Sequence, residues 1–418
     1  MKKKNHATSK ELAKTLLKDL HQAGYQAMFA GGSVRDHLIG LPAKDFDIAT
    51  DAQPETVSSI FKQKNDHVVP TGLNHGTVTV VRKKQPFEIT TLRQDLDHDG
   101  RHATPEFGVS FEEDAKRRDF TMNGLFEDID GKIHDFVGGE NDIAQGTIRF
   151  IGDGEQRIRE DYLRILRYFR FSSQLGFQPA PGTEEAIQKH RDGIKNISQE
   201  RITSEFLLLL GAPAAYAALT AMSRNKILSL VLPEAKFSGE PEQQKGLDQT
   251  REVGSAETYP LSALAFILPR SMSKDQAEKL GKRLKLPKRE IRGLSELLKG
   301  PSSDLIDTKD NDIIMREIDV LDEKEPGLFL DLFIPAWNTL YPELSRRLDD
   351  LALFEEKNGA LRRMPMPING QQLKKAFGWR EGPEMGSILK SLRDAFRRGE
   401  WVTYEEGLKK ADQLKRKS

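Results

Sequence analysis

The apolar residues of this chain change period once, and that change restricts the fold more than any single motif. Up to about residue 145 they come in short runs with strand character: residues 25–30 (YQAMFA), 46–49 (FDIA), 76–81 (GTVTVV) and 87–92 (FEITTL). From about residue 155 the spacing turns helical, as in Leu163, Leu166 and Phe169, then Ile202, Phe206 and Leu209, and later residues 261–268. Strands at one end and helices over the rest predict an α+β N-terminal head, a small mixed sheet with helices, followed by all-α segments. At 418 residues the chain is too long for one core of about 250–300 residues. Polar or Gly/Pro-containing stretches at 236–258, 300–303 and 364–367 are candidate breaks, the first read as a linker or long loop.

Composition removes several kinds of chemistry. The chain has no cysteine, so disulfides, thiolate metal sites and Cys nucleophiles are excluded, and any metal must be held by oxygen or imidazole. All nine histidines lie at or before His190, which excludes a His/Asp metal-dependent phosphohydrolase domain in the C-terminal half. No run approaches the roughly 18 apolar residues of a membrane span. The polar, lysine-rich start (Lys2, Lys3, Lys4) lacks the apolar core of a signal peptide, so a cytoplasmic chain without a membrane partner is expected. Lys+Arg and Asp+Glu both number 64, so a nucleic-acid surface has to come from local asymmetry. Residues 361–418 supply one, with 14 basic against 7 acidic residues, an excess of seven that suits an RNA backbone or simply a solvated helix rim.

The densest signal is GGSVRDHLIGLPAKDFDIAT, residues 31–50. A strand runs into Gly31 and Gly32, whose missing side chains let backbone N–H groups approach a ligand, and then into a helix opened by Ser33, Val34, Arg35 and Asp36. An arginine in that first turn suits a triphosphate. Further on, Lys44-Asp45-Phe46-Asp47-Ile48 reads as a strand whose period of two sets Asp45 and Asp47 on one face. An isolated Asp-x-Asp is common at solvated strand ends. Placed about ten residues after Arg35, it reads instead as a pair of hard ligands for Mg²⁺ and points to phosphoryl or nucleotidyl transfer. Glu88, within FEITTL, is the preferred third carboxylate, with Asp95 as the alternative.

Two arginine-rich motifs follow. In Arg117-Arg118-Asp119-Phe120-Thr121-Met122-Asn123, Arg118 can neutralise phosphate and Asp119 can accept from a ribose hydroxyl; a surface ion-pair cluster is the plainer alternative. In Arg159-Glu160-Asp161-Tyr162-Leu163-Arg164, continuing to Arg167 and Arg170, a helix would align Asp161, Arg164, Arg167 and Arg170 in one polar ribbon. Such ribbons are usually solvated ion pairs. Here an Asp beside an Arg also matches the amino donor and ring-nitrogen acceptor that cytosine and adenine share. Uracil and guanine set a carbonyl against the carboxylate.

In this order and spacing the motifs resemble those of the class II tRNA nucleotidyltransferase and poly(A) polymerase family, within the DNA polymerase β superfamily. The resemblance covers GGSVRD with DFD, RRDFTMN, EDYLRILR with FRFSSQLGF, and ERITSEFLLLL at 200–210, spanning roughly residues 20–235. It implies a nucleotidyltransferase catalytic head at 1–145, a helical neck with the base-selecting helix at 146–235, a helical body at 236–300 and a basic, RNA-binding helical tail at 301–418. It further implies that Gly31, Gly32, Ser33, Arg35, Arg118, Asp119 and Asn123 contact the nucleotide, and that Asp45 and Asp47 hold catalytic Mg²⁺; Glu88 is expected beside them as the third catalytic carboxylate. Glu160, Asp161, Arg164, Arg167 and Arg170 would form an amino-acid template for CTP and ATP. The implied activity is addition of C, C and A to the 3′ end of tRNA, with no obligatory protein partner.

The same family contains CC-adding, A-adding and polyadenylating enzymes. Enzymes that add only CC lack a flexible loop after the strand ending TTLR, whereas this chain has the full segment 93–111 (RQDLDHDGRHATPEFGVSF). Bacterial poly(A) polymerases carry a GRRF-like element where this chain has VPTGLNHGT, residues 69–77. An A-adding-only enzyme has the same motifs and the same loop. Outside this class, a catalytically idle RNA-binding protein would not need the Asp45/Asp47 pair.

Overall fold

The computed structural model describes residues 2–43, 45–73, 76–98, 103–253, 259–322, 332–359, 364, 366–379, 382–397 and 399–416. The chain forms two compact units, residues 1–243 and 244–418.

The first unit begins with helix α1 (Lys2–Gln22), strand β1 (Ala27–Ala30) and helix α2 (Gly32–Leu38), followed by β2 (Ile48–Thr50) and α3 (Pro54–Gln63). Strands β3 (His67–Gly72), β4 (Thr77–Arg82) and β5 (Gln85–Thr91) come next, then the ribbon β6 (Arg93–His98) and β7 (Ala103–Phe107). After α4 (Phe111–Lys116) and a 3₁₀ turn (Thr121–Asn123), β8 (Leu125–Glu127) and β9 (Ile133–Asp135) complete a seven-stranded sheet. Its order is β3-β4-β5-β2-β1-β8-β9, with β2 and β5 parallel and the other pairs antiparallel, the mixed sheet expected from the sequence.

Alternation along the strands sets the two faces of this sheet. Phe29, Phe46, Ile48, Val78, Val80, Phe87 and Ile89 join Leu16, Leu17 and Leu20 of α1 and Val57 and Phe61 of α3 in one core. Each such side chain contributes roughly 1.5–3 kcal/mol when buried. Ala30, Ala49, Phe111 and Phe126 pack in a separate cluster. With Phe46, Ile48, Phe87 and Ile89 committed to the first core, the period of two turns Asp45, Asp47 and Glu88 to the other face.

Helices fill the rest of the unit: α5 (Gly139–Ala144), α6 (Gly154–Glu160), α7 (Leu163–Leu175), α8 (Thr183–His190), α9 (Gln199–Leu210) and α10 (Ala215–Arg224). The spaced residues Leu163, Leu166, Phe169, Ile202, Phe206 and Leu209 are all buried. The segment 236–258 differs from its reading as a loop, because a helix spans Pro241–Val253. Leu247 and Thr250 are buried there, giving this polar helix a narrow apolar anchor that composition hides. Residues 254–258 lie outside the described residues.

The described part of the second unit is helical. In its last segment Ile368, Leu373, Ile388, Leu392, Phe396 and Trp401 form a small core. Trp401 lies within it, while Phe377 and Trp379 stack on each other at 4.7 Å and are only partly buried.

Candidate active site

The carboxylates stand just ahead of a strand rather than within one. Residues 45–47 are extended, and β2 starts at Ile48, although the Ala30 N–H already donates to the Asp47 carbonyl at 3.0 Å. Phe46 is buried and Asp45 and Asp47 are exposed, so the expected alternation holds; Lys44 lies outside the described residues. Glu88 sits mid-strand on β5, also exposed, opposite Thr79. Desolvation first, then the negative charges of Glu88 and Asp45, push the Asp47 carboxyl up to about 6 against a pull from Arg118. Because Asp47 keeps exposed surface, this crowding occurs where a cation can reach it. Among the described residues no group of three or more acidic or imidazole side chains is assembled as a metal cluster. A mutually repelling carboxylate pair nevertheless fits a hard cation that completes its shell with water and substrate oxygens.

Gly31 is required by its backbone: φ is +67°, and a Cβ there would lie 3.1 Å from Arg118 Nη1. Gly32 then opens α2, and Ser33 is buried with its hydroxyl donating to Ala30 O at 3.4 Å. Arg35 is buried, donating through Nη1 to Asn123 Oδ1 at 2.7 Å and through Nε and Nη2 to Asp36 at 3.0 and 2.6 Å. Asn123 in turn donates to Asp119 Oδ1 at 3.0 Å, and Arg167 Nε donates to Asp119 Oδ2 at 2.6 Å. Three hydrogen bonds in series therefore connect α2 to α7 through Asn123 of the 3₁₀ turn and Asp119.

Burial and neighbouring charge compete across this network. Burial alone would raise the Asp119 carboxyl, but Arg167, Asn123 and the Phe120 N–H outweigh it and hold it down at about 2. Asp114 is likewise buried yet held below the usual carboxylate range by Arg118 and Arg117, at 2.9 and 2.7 Å. Arg170 pairs with Glu205 of α9 at 2.7 Å, and Arg167 reaches the same carboxylate at 3.8 Å. Burial of Glu205 raises its carboxyl despite these partners.

The Glu160–Arg170 motif departs from the expected continuous helix. Asp161 ends α6 with φ −151° and ψ 104°, and its Oδ1 accepts from the Leu163 N–H at 3.0 Å. A side chain that turns back to satisfy the start of α7 replaces the helical turn there. The polar ribbon on α7 thus contains Arg164, Arg167 and Arg170, with Asp161 at its entrance. Arg164 donates to Glu160 at 2.8 Å, Arg157 O at 2.9 Å and Arg117 O at 3.1 Å, while Arg201 of α9 donates to Asp161 at 2.8 Å. Glu160 therefore holds Arg164, and Arg201 holds Asp161. Arg201, Glu205 and Phe171 received no role from the sequence, although an Arg and a Glu four residues apart, one helical turn on ERITSEFLLLL, were a visible signal.

Segment 93–111 is a two-stranded ribbon in its described parts, β6 and β7 pairing Arg93 with Phe107 through Leu96 with Thr104. Its tip, residues 99–102, lies outside the described residues, as do Asn74 and His75 of VPTGLNHGT.

The fold and this site define a nucleotidyltransferase head joined to helices, and comparison with known proteins agrees. A family model described as the poly A polymerase head domain matches residues 27–149, and one described as the probable RNA and SrmB-binding site of polymerase A matches 176–238. The zebrafish (Danio rerio) mitochondrial CCA tRNA nucleotidyltransferase 1 is 34% identical over 398 residues, covering 92% of this chain and 86% of that protein. The CCA-adding enzyme of Geobacillus stearothermophilus is 46% identical over 213 residues, half of this chain and 52% of that one. A crystal structure of the Bacillus stearothermophilus CCA-adding enzyme in complex with CTP aligns with TM-score 0.58 and 28% identity over 97% of this chain and 98% of that one. The chain belongs to the class II CCA-adding tRNA nucleotidyltransferase and poly(A) polymerase family. Nucleotidyltransferases of this family use a divalent metal, and among the described residues no helix is long and apolar enough to cross a membrane.

Proposed function

We propose that this protein adds C, C and A, without a nucleic-acid template, to the 3′ end of tRNA, using CTP and ATP. The observation that carries this reading is the connection of two chemistries in one compact unit: carboxylates on one sheet face, and a hydrogen-bonded chain from Arg35 through Asn123 and Asp119 to Arg167 on the base-selecting helix. Relatives named for CCA addition, and a related structure holding CTP, support it.

In this reading Asp45 and Asp47, with Glu88 beside them, hold Mg²⁺. A metal held by these carboxylates would lower the pKa of the primer 3′-hydroxyl and offset charge on the α-phosphate and departing pyrophosphate. Gly31, Gly32, Ser33 and Arg35 line the triphosphate, and Arg118, Asp119 and Asn123 the sugar side. Asp161 accepts from the exocyclic amine shared by cytosine and adenine, while Arg164 donates to the ring nitrogen or carbonyl. Glu160 orients Arg164, and Arg167 and Arg170 complete the template. The ribbon 93–111 is the element that moves as selection passes from CTP to ATP. The head, neck, body and tail keep the boundaries 1–145, 146–235, 236–300 and 301–418, the basic tail holding tRNA, and the protein works in the cytoplasm.

The test supplies tRNA transcripts ending before CCA, after C or after CC, and an unstructured RNA, and measures CTP and ATP incorporation. Three-nucleotide addition to the first substrate is expected. A added only to the CC-ended tRNA would make it an A-adding enzyme; long A tails on unstructured RNA would make it a poly(A) polymerase; no incorporation would make it an idle RNA-binding fold.

A further inference from the structure

One aromatic ring lies among the arginines of the site. The guanidinium carbons of Arg35, Arg167 and Arg170 lie 5.1, 5.3 and 4.1 Å from the centroid of Phe171. Arg35 comes from α2 and the other two from α7, so the ring is where the helix after the glycine turn meets the base-selecting helix. Phe171 is 4% exposed, and Phe120 holds it edge-on at 5.8 Å and 84°.

Three like charges around one point repel. Arg170 is held below its ordinary value, by burial first, with Arg167 and Arg35 both contributing downward against Glu205. Its Nε is buried with no aligned hydrogen-bond acceptor, although Glu205 Oε2 lies 2.7 Å away. Asp36, Asp119 and Glu205 supply counter-charge from the sides. The electron-rich faces of an aromatic ring attract cations without being ionised, so Phe171 draws the guanidinium groups together without cancelling their charge. A carboxylate there would also gather them, but would reduce what they offer an anion.

We propose that Phe171 is a positioning residue for nucleotide binding: its ring holds Arg35, on the triphosphate side, convergent with Arg167 and Arg170 of the base-selecting helix as one cationic wall for the bound nucleotide. The inference rests on the proposed reading of these arginines as nucleotide contacts. A leucine of similar bulk would fill the space and lose the attraction, so the ring's electronics rather than its volume carry the role.

The experiment uses the full chain with mono-, tri- and pentafluorophenylalanine placed at position 171, a series that drains the ring's negative face while changing its size little. KM for CTP and for ATP, kcat, inhibition by pyrophosphate and melting temperature are measured on tRNA transcripts. KM for both nucleotides should climb with each step, to roughly tenfold at the end of the series, with weaker pyrophosphate inhibition in parallel. Phe171→Leu should match the end of the series, and Phe169→Leu, a buried neighbour with no guanidinium over it among the described residues, should lower the melting temperature without moving KM. A flat KM across the series, or an equal rise in Phe169→Leu, overturns the proposal. Arg35→Ala separates the two levels: if it raises KM while the fluorinated series is flat, the Phe171 role alone falls. If it leaves KM unchanged, the arginine assignment falls and the Phe171 role with it.

Discussion

Replacing Asp119 by Asn should cost unit 1 roughly 2–3 kcal/mol at neutral pH, a magnitude that follows from how the residue is held. Its carboxyl is depressed from 3.8 to about 2, nearly two pK units at about 1.4 kcal/mol each. Breaking a fully buried ion pair typically costs about 3–5 kcal/mol. The Arg167 side chain keeps a third of its surface in solvent, which places the expectation at the lower figure. Asn preserves the shape and can still accept from the Phe120 N–H, but its amide nitrogen then faces the Arg167 donor, so the loss combines the charge with the Arg167 hydrogen bond. For a unit of this size the melting temperature should fall by roughly 5–10 °C. The sign with pH is fixed: a depressed carboxylate stabilises fully above its unfolded value of 3.8 and loses that contribution as pH falls through about 2. The deficit of Asp119→Asn should therefore be constant between about pH 5 and 8. Urea unfolding followed by far-ultraviolet circular dichroism at several pH values in that window, with an Asp119→Asn/Arg167→Met double-mutant cycle, measures it. A loss well under 1 kcal/mol, or a coupling near zero, would refute the argument that Arg167 is what holds Asp119 ionised.

Four further outcomes rest on the same structure. Asp161→Ala should relax selection toward UTP and GTP, and competition assays with all four nucleotides that still show only CTP and ATP incorporated would sink the template assignment. Asp47, raised to about 6 from 3.8, costs the metal-free protein stability as pH rises through 6. Asp47→Asn should therefore melt higher than the parent at pH 8 and alike near pH 4, and Mg²⁺ titrations of the parent should weaken below about pH 6 as protons compete. Gly139→Ala would push a Cβ to 2.3 Å from Thr121 O and 3.0 Å from Leu125, costing about 1–3 kcal/mol. Gly386→Ala, on a helix with no atom within 4 Å of the added carbon, should stabilise by about 0.5–1 kcal/mol in thermal melts.

Backbone periodicity made the head legible, because burial leaves a trace at every second residue. Phe46 and Ile48 facing the α1 and α3 core oblige Asp45 and Asp47 to face away, and Phe87 and Ile89 oblige Glu88 to do the same. Polar contacts leave no such trace. Asn123 meets Arg35 across 88 positions and Asp119 meets Arg167 across 48, and nothing in the spacing records either. Asp161 shows the limit most clearly. Its i, i+3 relation to Arg164 suggested a shared helix face, but a short polar side chain can satisfy the next helix's N–H better than it can continue the previous helix, and α6 ends there.

The arginines of α7 carry a related ambiguity, since a guanidinium at every third position suits a nucleotide and a protein carboxylate equally well. Arg164 is engaged by Glu160, Arg167 by Asp119 and Arg170 by Glu205, while Asp161 is engaged by Arg201. On the proposed reading, a base read by Asp161 and Arg164 therefore arrives at atoms that already have partners. It must share or replace them, so discrimination is the difference between two hydrogen-bonded states rather than the gain of new bonds. Cytosine and adenine can substitute for the interactions they displace. Uracil and guanine displace the same interactions and leave the Asp161 carboxylate facing a carbonyl, which makes the protein's own ion pairs part of the selectivity.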